Sequence, residues 1–166
     1  MPSGRKSAVS TGYFKQLEFI ESLTVGVLES GLICSWEPGE FASAKNLLLR
    51  NPKVTIVNGV ELPKETPSTF FAAIYQGYIQ IPHDSLYTFR LQSDDGAALY
   101  IAEKLVCENA GFKFGEHSKG TLALKAGYHL FTLNYFQAKY GANLNLYYQT
   151  GNEPFQKIPN AWFCYK

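Results

Sequence analysis

Two adjacent aspartates, Asp94 and Asp95, are the residues of this sequence best suited to hold a metal ion. Neighbouring side chains on an ordinary strand point to opposite faces, so these carboxylates would not converge on one ion. A cis peptide between them would bring the two Cα atoms to about 2.9 Å and place both carboxylates on one side. Calcium binds about six to eight oxygens. Backbone carbonyls of residues 137–143 and the Asn143 side chain could supply the remainder, which makes this region a candidate calcium site.

The same residues have a second interpretation that needs no metal. Asp-Asp-Gly is also a favourable β-turn, in which an aspartate bonds its own backbone and Gly96 adopts a positive φ. In addition, Lys139 would bring a positive charge close to a dication. A turn without calcium and a calcium site therefore both remain open at this point.

Four further side chains are candidates for contact with a sugar. Phe112, Phe114 and His117 lie in a predicted loop over residues 109–120, and Tyr140 lies in another loop. Exposed aromatic rings stack on the apolar faces of sugar rings, which predicts a binding platform. The alternative is that the loop phenylalanines turn back into the core, as buried aromatic residues commonly do.

The sequence contains no recognisable catalytic motif. It has no zinc-protease, serine-hydrolase, phosphate-loop or dinucleotide-binding pattern. The three histidines (His83, His117 and His129) are too scattered to indicate a set of metal ligands. We therefore predict that the chain is not an enzyme by itself.

The elements that must position these residues are predicted to be strands. Much of the chain alternates between apolar and polar residues with a period of two, and turn signals lie between the alternating stretches. Only residues 42–50 carry a helical pattern, of one or two turns. Regularly spaced short strands favour a β-sandwich or barrel. The main predicted strands are residues 71–81, 86–91, 98–102, 121–124, 128–136 and 143–149.

Composition narrows the class of protein further. A length of 166 residues suits one domain with a sizeable core. The net charge of +1 gives no reason to expect nucleic acid or an anionic membrane as a partner, and no apolar run approaches membrane-spanning length. The three cysteines lack the spacing of a zinc ribbon. A disulfide between Cys34 and Cys164 becomes geometrically feasible if the first and last strands pair.

Several segments resemble a protective-antigen-type (PA14) domain. The resemblance runs from about Gly31 to the C-terminus. It implies a two-sheet antiparallel β-sandwich with at most one short helix, over residues 31–166, in a family that is usually extracellular. The segments are GLICSWEPGEF, YQGYIQIPHDSLYTFRLQSDDGAALYI, KLV, SKGTLALKAGYHLFTLNYF and ANLNLYYQ.

The resemblance also implies a function. Members of this family occur in bacterial toxins, in yeast adhesins and as modules of glycoside hydrolases. In the sugar-binding adhesins the paired aspartates hold a calcium ion, which in turn binds sugar hydroxyls; Asp94 and Asp95 occupy that position. The chain departs from the family pattern at Ala102-Glu103, where many members have Asp-Gly. This difference predicts a remodelled hairpin.

Residues 1–30 are predicted to be a linker or the tail of a preceding β-domain. Residues 2–7 (PSGRKS) resemble the end of the small β-sandwich that follows the catalytic domain in bacterial β-N-acetylhexosaminidases. The N-terminus lacks the apolar region of a signal peptide. Either the protein is cytoplasmic, or its signal lies upstream of this sequence. The family resemblance favours the second alternative, a longer extracytoplasmic precursor (periplasmic, cell-surface or secreted).

Two functions follow from these observations. The first is a carbohydrate-binding module of a secreted glycan-degrading enzyme, with a glycan as ligand. The alternative is a structural domain that docks on the catalytic domain of the same parent chain, stabilises it and binds no sugar. An exposed apolar patch would favour the docking role, because it would be an orphaned domain interface.

Overall fold

The protein folds as an all-β sandwich of two antiparallel sheets, as the sequence predicts. The structure is a computed structural model that describes residues 18–111 and 117–166. Besides the strands, these residues contain a 3₁₀ turn at Asn160–Trp162. The strands are β1 (Glu29–Ser30), β2 (Leu32–Pro38), β3 (Lys53–Val57), β4 (Phe71–Ile81), β5 (Ser85–Asp94), β6 (Gly96–Ile101), β7 (Lys104–Asn109), β8 (His117–Leu124), β9 (Gly127–Gln137), β10 (Asn143–Thr150), β11 (Gln156–Lys157) and β12 (Phe163–Tyr165).

The larger sheet has eight strands and is organised around β4. One edge of β4 pairs with β9 along its whole length. The other edge pairs with β2 over Phe71–Gln76 and with β12 at Tyr78 and Ile79. Beyond β9 the sheet continues through β6 to β7. The predicted strand over residues 71–81 is confirmed with the same bounds.

The smaller sheet has four strands in the order β11-β10-β5-β8. Along β5 the side chains alternate, so that Tyr87, Phe89 and Leu91 are fully buried against the larger sheet. The residues between them, such as Thr88 and Arg90, face outward and are partly exposed. This period-two pattern is the one expected for a sandwich with one solvated face.

Residues 42–50 do not form the helix that their pattern predicts, so that prediction is wrong. The Glu37 carboxylate accepts backbone N–H groups of residues 50–51 at 2.8 and 2.7 Å. Asn134 on β9 donates its side-chain N–H to the Ala44 carbonyl at 2.9 Å. Because partners elsewhere in the fold satisfy these backbone groups, the segment lies across the outer face of the larger sheet instead of coiling on itself.

The described residues before β1 also pack on the sandwich. The Ile20 backbone N–H donates to the Ala123 carbonyl, and that of Leu23 donates to the Tyr128 carbonyl, both at 2.8 Å. The domain boundary at residue 31 stays a prediction. No helix long and apolar enough to cross a bilayer occurs in the part of the chain that the structure describes.

Cys34 and Cys164 are not joined by a disulfide, and all three cysteines are free. Cys34 pairs with Tyr75 of β4, whereas Cys164 pairs with Tyr78 of the same strand. Tyr75 and Tyr78 lie three residues apart on β4, so the Cα atoms of the two cysteines that pair with them are separated by roughly 10 Å along the strand direction. A disulfide cannot span that distance. Burial raises the pKa of the Cys34 thiol to about 12.

The hairpin between β6 and β7 keeps a tight two-residue turn, although remodelling was predicted. Ala102 and Glu103 both adopt left-handed conformations, with φ values of 50° and 63°. This is the geometry of the turn that Asn-Gly or Asp-Gly ordinarily forms. The turn geometry is therefore retained without the residues that favour it, whereas the strand pairing of the same hairpin shifts register between Leu99 and Tyr100.

Replacing this turn with Asn-Gly should stabilise the domain. A left-handed conformation destabilises the fold by roughly 1–2 kcal/mol at a residue with a Cβ. Glycine avoids this cost, but it loses more conformational entropy on folding, which offsets part of the stabilisation. The double substitution Ala102→Asn/Glu103→Gly should therefore raise the free energy of unfolding by about 1 kcal/mol in urea denaturation. Glu103→Ala is the matched control, because it removes the charge but keeps the Cβ. A double variant no more stable than this control would contradict the account.

Candidate functional site

Asp94 and Asp95 lie where the chain passes from the smaller sheet to the larger one. Asp94 ends β5, and β6 begins one residue after Asp95. The peptide bond between the two aspartates is cis. Both side chains are buried, with exposed fractions of 5% and 6%. The sequence-predicted pair is thus assembled as one buried acidic group.

Hydrogen bonds from both sheets hold this pair in place. The backbone N–H of Ala138, which follows β9, donates to Asp95 Oδ2 at 2.7 Å. The buried Tyr135 hydroxyl, on β9, donates to the Asp94 carbonyl. From β5, Ser93 Oγ donates to the Asp95 carbonyl at 2.9 Å. The position of the carboxylates therefore depends on the packing of β5 against β9.

No basic side chain in the described parts of the chain forms an ion pair with this acidic pair. The two ion pairs among the described residues are Lys45–Glu108 and Lys125–Asp84, and neither involves Asp94 or Asp95. Burial raises the pKa of the Asp94 carboxyl, and the charge of Asp95 and a hydrogen bond with it raise it further. The protein alone thus disfavours two negative charges at this position, and a cation would relieve the repulsion between them.

Gly96 is required at this crossing for a reason other than turn conformation. It does not have a positive φ, so the simple Asp-Asp-Gly turn is not the geometry found here. A Cβ at this position would lie 2.2 Å from a ring carbon of Phe136, which is fully buried on β9. Glycine therefore allows β6 to approach the Phe136 ring directly after the aspartates.

A surface pocket of about 750 Å³ lies beside Asp95. Its wall combines acidic, basic and aromatic side chains from four connections between strands. The lining residues are Glu40, Phe41, Ala42, Phe70, Asp95, Ala138, Lys139 and Tyr140. The pocket is therefore suited to a polar ligand that also has an apolar face.

Two aromatic residues of the pocket have an uncommon backbone conformation. Phe70 and Tyr140 have φ values of 54° and 65°, in the left-handed region. Such residues are found disproportionately at ligand sites, where the surrounding structure holds them. Tyr140 is 86% exposed, so its ring is accessible, as the platform interpretation requires. Lys139 Nζ lies 6.0 Å from the centre of the Phe70 ring and forms no described ion pair with the aspartates.

The other predicted site residues are only partly brought together. Asn143 pairs with Asp94 across β10 and β5, and its Oδ1 accepts a hydrogen bond from Asn145. His117 is exposed at the start of β8 and pairs with Gln92, two residues before Asp94. Phe112 and Phe114 lie outside the described residues, so their role as a platform stays a prediction.

Sequence reasoning missed one wall of the pocket. Glu40, Phe41 and Phe70 line the pocket, and none of them is among the site residues that the sequence predicts. The connection between β2 and β3, residues 39–52, contains fourteen residues without a strand or helix. Connections of that length are uncommon and often functional, and this one carries an aromatic residue at its start. That signal could have identified the wall.

The residues present fit a calcium ion if the ligand contributes oxygens. No group of three or more His, Cys, Asp or Glu side chains capable of holding a metal exists in the described parts of the chain. Two carboxylates supply two to four oxygens, and the additional donors that the sequence predicts are backbone carbonyls of residues 137–143 and Asn143, which pairs with Asp94. The coordination sphere would then keep positions for water or ligand hydroxyls.

The raised pKa of Asp94 predicts how the metal-free domain responds to pH. Because the folded state binds the Asp94 proton more tightly than the unfolded state, this group stabilises the fold at low pH. Its contribution falls as pH rises from the ordinary aspartate pKa through the raised one. In chelator, Asp94→Asn should flatten this decline and be at least as stable as the native chain at pH 7. Urea denaturation between about pH 4 and 7 measures the difference. If the native chain gained more stability than the Asp94→Asn variant as pH rises, the predicted effect of the Asp94 carboxyl would be contradicted.

Comparison with known proteins places this geometry in a family. Residues 28–160 match the family model described as the PA14 domain, which is most of the chain. A search of curated proteins finds no match to the sequence. The chain spans about half the length of two anti-sigma factor domain-containing proteins of known structure that it matches.

Solved structures with the same fold are distant in sequence. The anti-sigma factor domain-containing protein from Clostridium clariflavum is 22% identical, with a TM-score of 0.65, over 87% of this chain and 50% of its own. The PA14 sugar-binding domain of an RTX adhesin is 17% identical, with a TM-score of 0.52, over 58% of this chain and 55% of its own. A subtype-switched epithelial adhesin 9 A domain from Candida glabrata, solved with β-lactose, is 14% identical, with a TM-score of 0.69. The match covers 92% of this chain and 96% of the adhesin domain.

At these identities the structures establish the fold, and the family model establishes the membership. The two-sheet sandwich and the match to the family model over residues 28–160 agree with each other. The chain belongs to the PA14 domain family.

Proposed function

We propose that this chain is a non-catalytic carbohydrate-binding module of a larger secreted glycan-degrading enzyme, and that it binds sugar through calcium at Asp94 and Asp95. The observation that carries the proposal is the buried pair of carboxylates without a basic partner among the described residues, beside a pocket with aromatic walls. A single divalent cation neutralises both charges at once.

A sugar suits the remaining features of the pocket. Calcium bound by two carboxylates keeps coordination positions that adjacent hydroxyls of a sugar ring can fill. The exposed Tyr140 ring offers a face for the apolar side of the sugar, and Glu40 and Lys139 offer hydrogen-bonding groups at the rim. Among proteins with this fold, the RTX adhesin domain is described as sugar-binding and the Candida glabrata adhesin was solved with β-lactose.

The parent protein and its location belong to the same proposal. The resemblance of residues 2–7 to the sandwich tail of β-N-acetylhexosaminidases supports a glycoside hydrolase as the parent. The module would then keep that enzyme, outside the cytoplasm, close to a glycan. The module would act by binding alone.

A docking role is the second candidate, and one observation favours it. Strand β3 pairs only with β2 among the described residues, and its side chains Val54 and Ile56 are 64% and 47% exposed. Two neighbouring apolar side chains on the same face of an edge strand form a small candidate contact for the catalytic domain of the parent chain. This surface lies on another strand than the aspartates, so the two roles are separable by mutation.

The proposal predicts calcium-dependent sugar binding. Isothermal titration of the chelator-stripped chain with calcium should show one site, and lactose or Galβ1-3GlcNAc should bind only when calcium is present. Asp94→Asn/Asp95→Asn should abolish both, because it removes the charges that hold the ion. The matched control is Glu65→Gln/Glu153→Gln, which removes two exposed acids elsewhere and should change neither.

Two results would overturn this reading. Calcium binding that survives the double aspartate substitution would show that the metal binds elsewhere than at Asp94 and Asp95. A native chain that binds neither calcium nor any sugar offered would leave the docking role as the better explanation of the fold.

A further inference from the structure

Three basic residues and a tyrosine form one row across the outer face of the smaller sheet. Lys119 on β8 pairs with Arg90 on β5, Arg90 pairs with Tyr147 on β10, and Tyr147 pairs with Lys157 on β11. Paired residues project to the same face. Because neighbouring strands lie about 4.8 Å apart, the row extends roughly 14 Å across the sheet.

Aromatic contacts hold two of the three positive charges of this row, those of Arg90 and Lys119, over the sheet. The Arg90 guanidinium lies 4.6 Å from the ring centres of both Tyr147 and Phe155. Lys119 Nζ lies 5.1 Å from the centre of the same Phe155 ring. Cation–π contacts favour these positions over free movement in solvent, so the charges are arranged before any ligand arrives.

The charges of the row are available to an external anion. Strands β8, β10 and β11 contain no acidic residue, and β5 contains only Asp94, at its end. None of the three basic residues takes part in an ion pair that the described residues form. Lys119 and Lys157 are exposed and Arg90 is partly exposed.

The positions on both sides of the row carry neutral hydrogen-bonding groups. On one side Gln92 pairs with Asn145 and with the exposed His117. On the other, Thr88 pairs with Thr121 and with Gln149, and the two threonine hydroxyls are 2.8 Å apart. Amides and hydroxyls beside a line of charges match a polymer that alternates hydroxyl and anionic groups.

We propose that this row binds an anionic polysaccharide, one that carries sulfate or carboxylate groups, along a path across the strands. Three cations are few for nucleic acid, whose binding depends on neutralising many phosphates. The rings of Tyr147 and Phe155 are already engaged by Arg90, so they do not form the free stacking platform that single-stranded bases require. The neutral flanks fit sugar hydroxyls.

This site is distinct from the proposed calcium site. It uses basic residues on the open face of the smaller sheet, whereas the calcium site uses buried acids at the crossing between sheets. The row would attract glycans that the acidic pair repels in the absence of a cation. Its binding does not depend on calcium, which allows the two sites to be tested separately.

The test compares dextran sulfate with uncharged dextran, using the full chain in chelator at about 50 mM salt, where charge contacts are least screened. Affinity electrophoresis should show retardation by dextran sulfate and none by dextran. Lys119→Gln/Lys157→Gln should weaken the binding at least about tenfold, since two of its three contacts lose their charge. The matched control Lys64→Gln/Lys104→Gln removes two exposed lysines outside the smaller sheet and should bind within about twofold of the native chain. Circular dichroism checks that all variants are folded.

Three outcomes would overturn the proposal. A native chain that dextran sulfate does not retard has no such site. A control variant that weakens as much as the row variant would mean that only net charge matters. Single-stranded DNA of equal charge should bind more weakly than dextran sulfate. If it binds as tightly, and the row variant loses affinity for it to the same extent, this face binds nucleic acid and not a polysaccharide.

Discussion

The structure depends on keeping two like charges buried side by side at the crossing between two sheets. Asp94 closes β5 in the smaller sheet, and one residue later β6 begins in the larger one. Repulsion and lost hydration disfavour the ionised pair. The Ala138 backbone N–H, just after β9, counters this by donating to a carboxylate oxygen of Asp95. Ser93 on β5 holds the backbone of the pair by donating to the Asp95 carbonyl. The acidic site is therefore a product of the whole sandwich, and it would not survive separation of the sheets.

The same alternation of side chains creates two surfaces of opposite charge. Inward positions of β5 build the core, and its outward positions contribute Arg90 to the basic row before the strand ends at the aspartates. A cation-dependent pocket and a cation-independent face on one small domain would let it recognise both neutral and anionic parts of a mixed glycan. Such a combination increases overall affinity when a single ligand reaches both sites.

Much of the fold follows from local pattern, and what does not follow depends on tertiary contacts. The strand over residues 71–81 was predictable because it is a long apolar and aromatic stretch that ends directly before Pro82. β5 extends to Asp94, three residues beyond its predicted end, because pairing with β10 continues through Asn143. Residues 42–50 have a helical pattern, but the side chains of Asn134 and Glu37 form hydrogen bonds with backbone groups of this segment, and it forms no helix. The metal-binding candidates were visible as adjacent aspartates. The pocket wall was not, since the path of a long loop depends on the sheet beneath it.

The most direct test of the central claim is a crystal structure of the chain grown with calcium and lactose. The account predicts one ion bound by carboxylate oxygens of both Asp94 and Asp95 at about 2.3–2.6 Å, with sugar hydroxyls completing its coordination. A structure in which the Lys139 ammonium moves from Phe70 to neutralise the two carboxylates, with no ion between them, would contradict it. In that case the pair would be an internal salt bridge of the fold, and sugar recognition would have to be sought elsewhere on the sandwich.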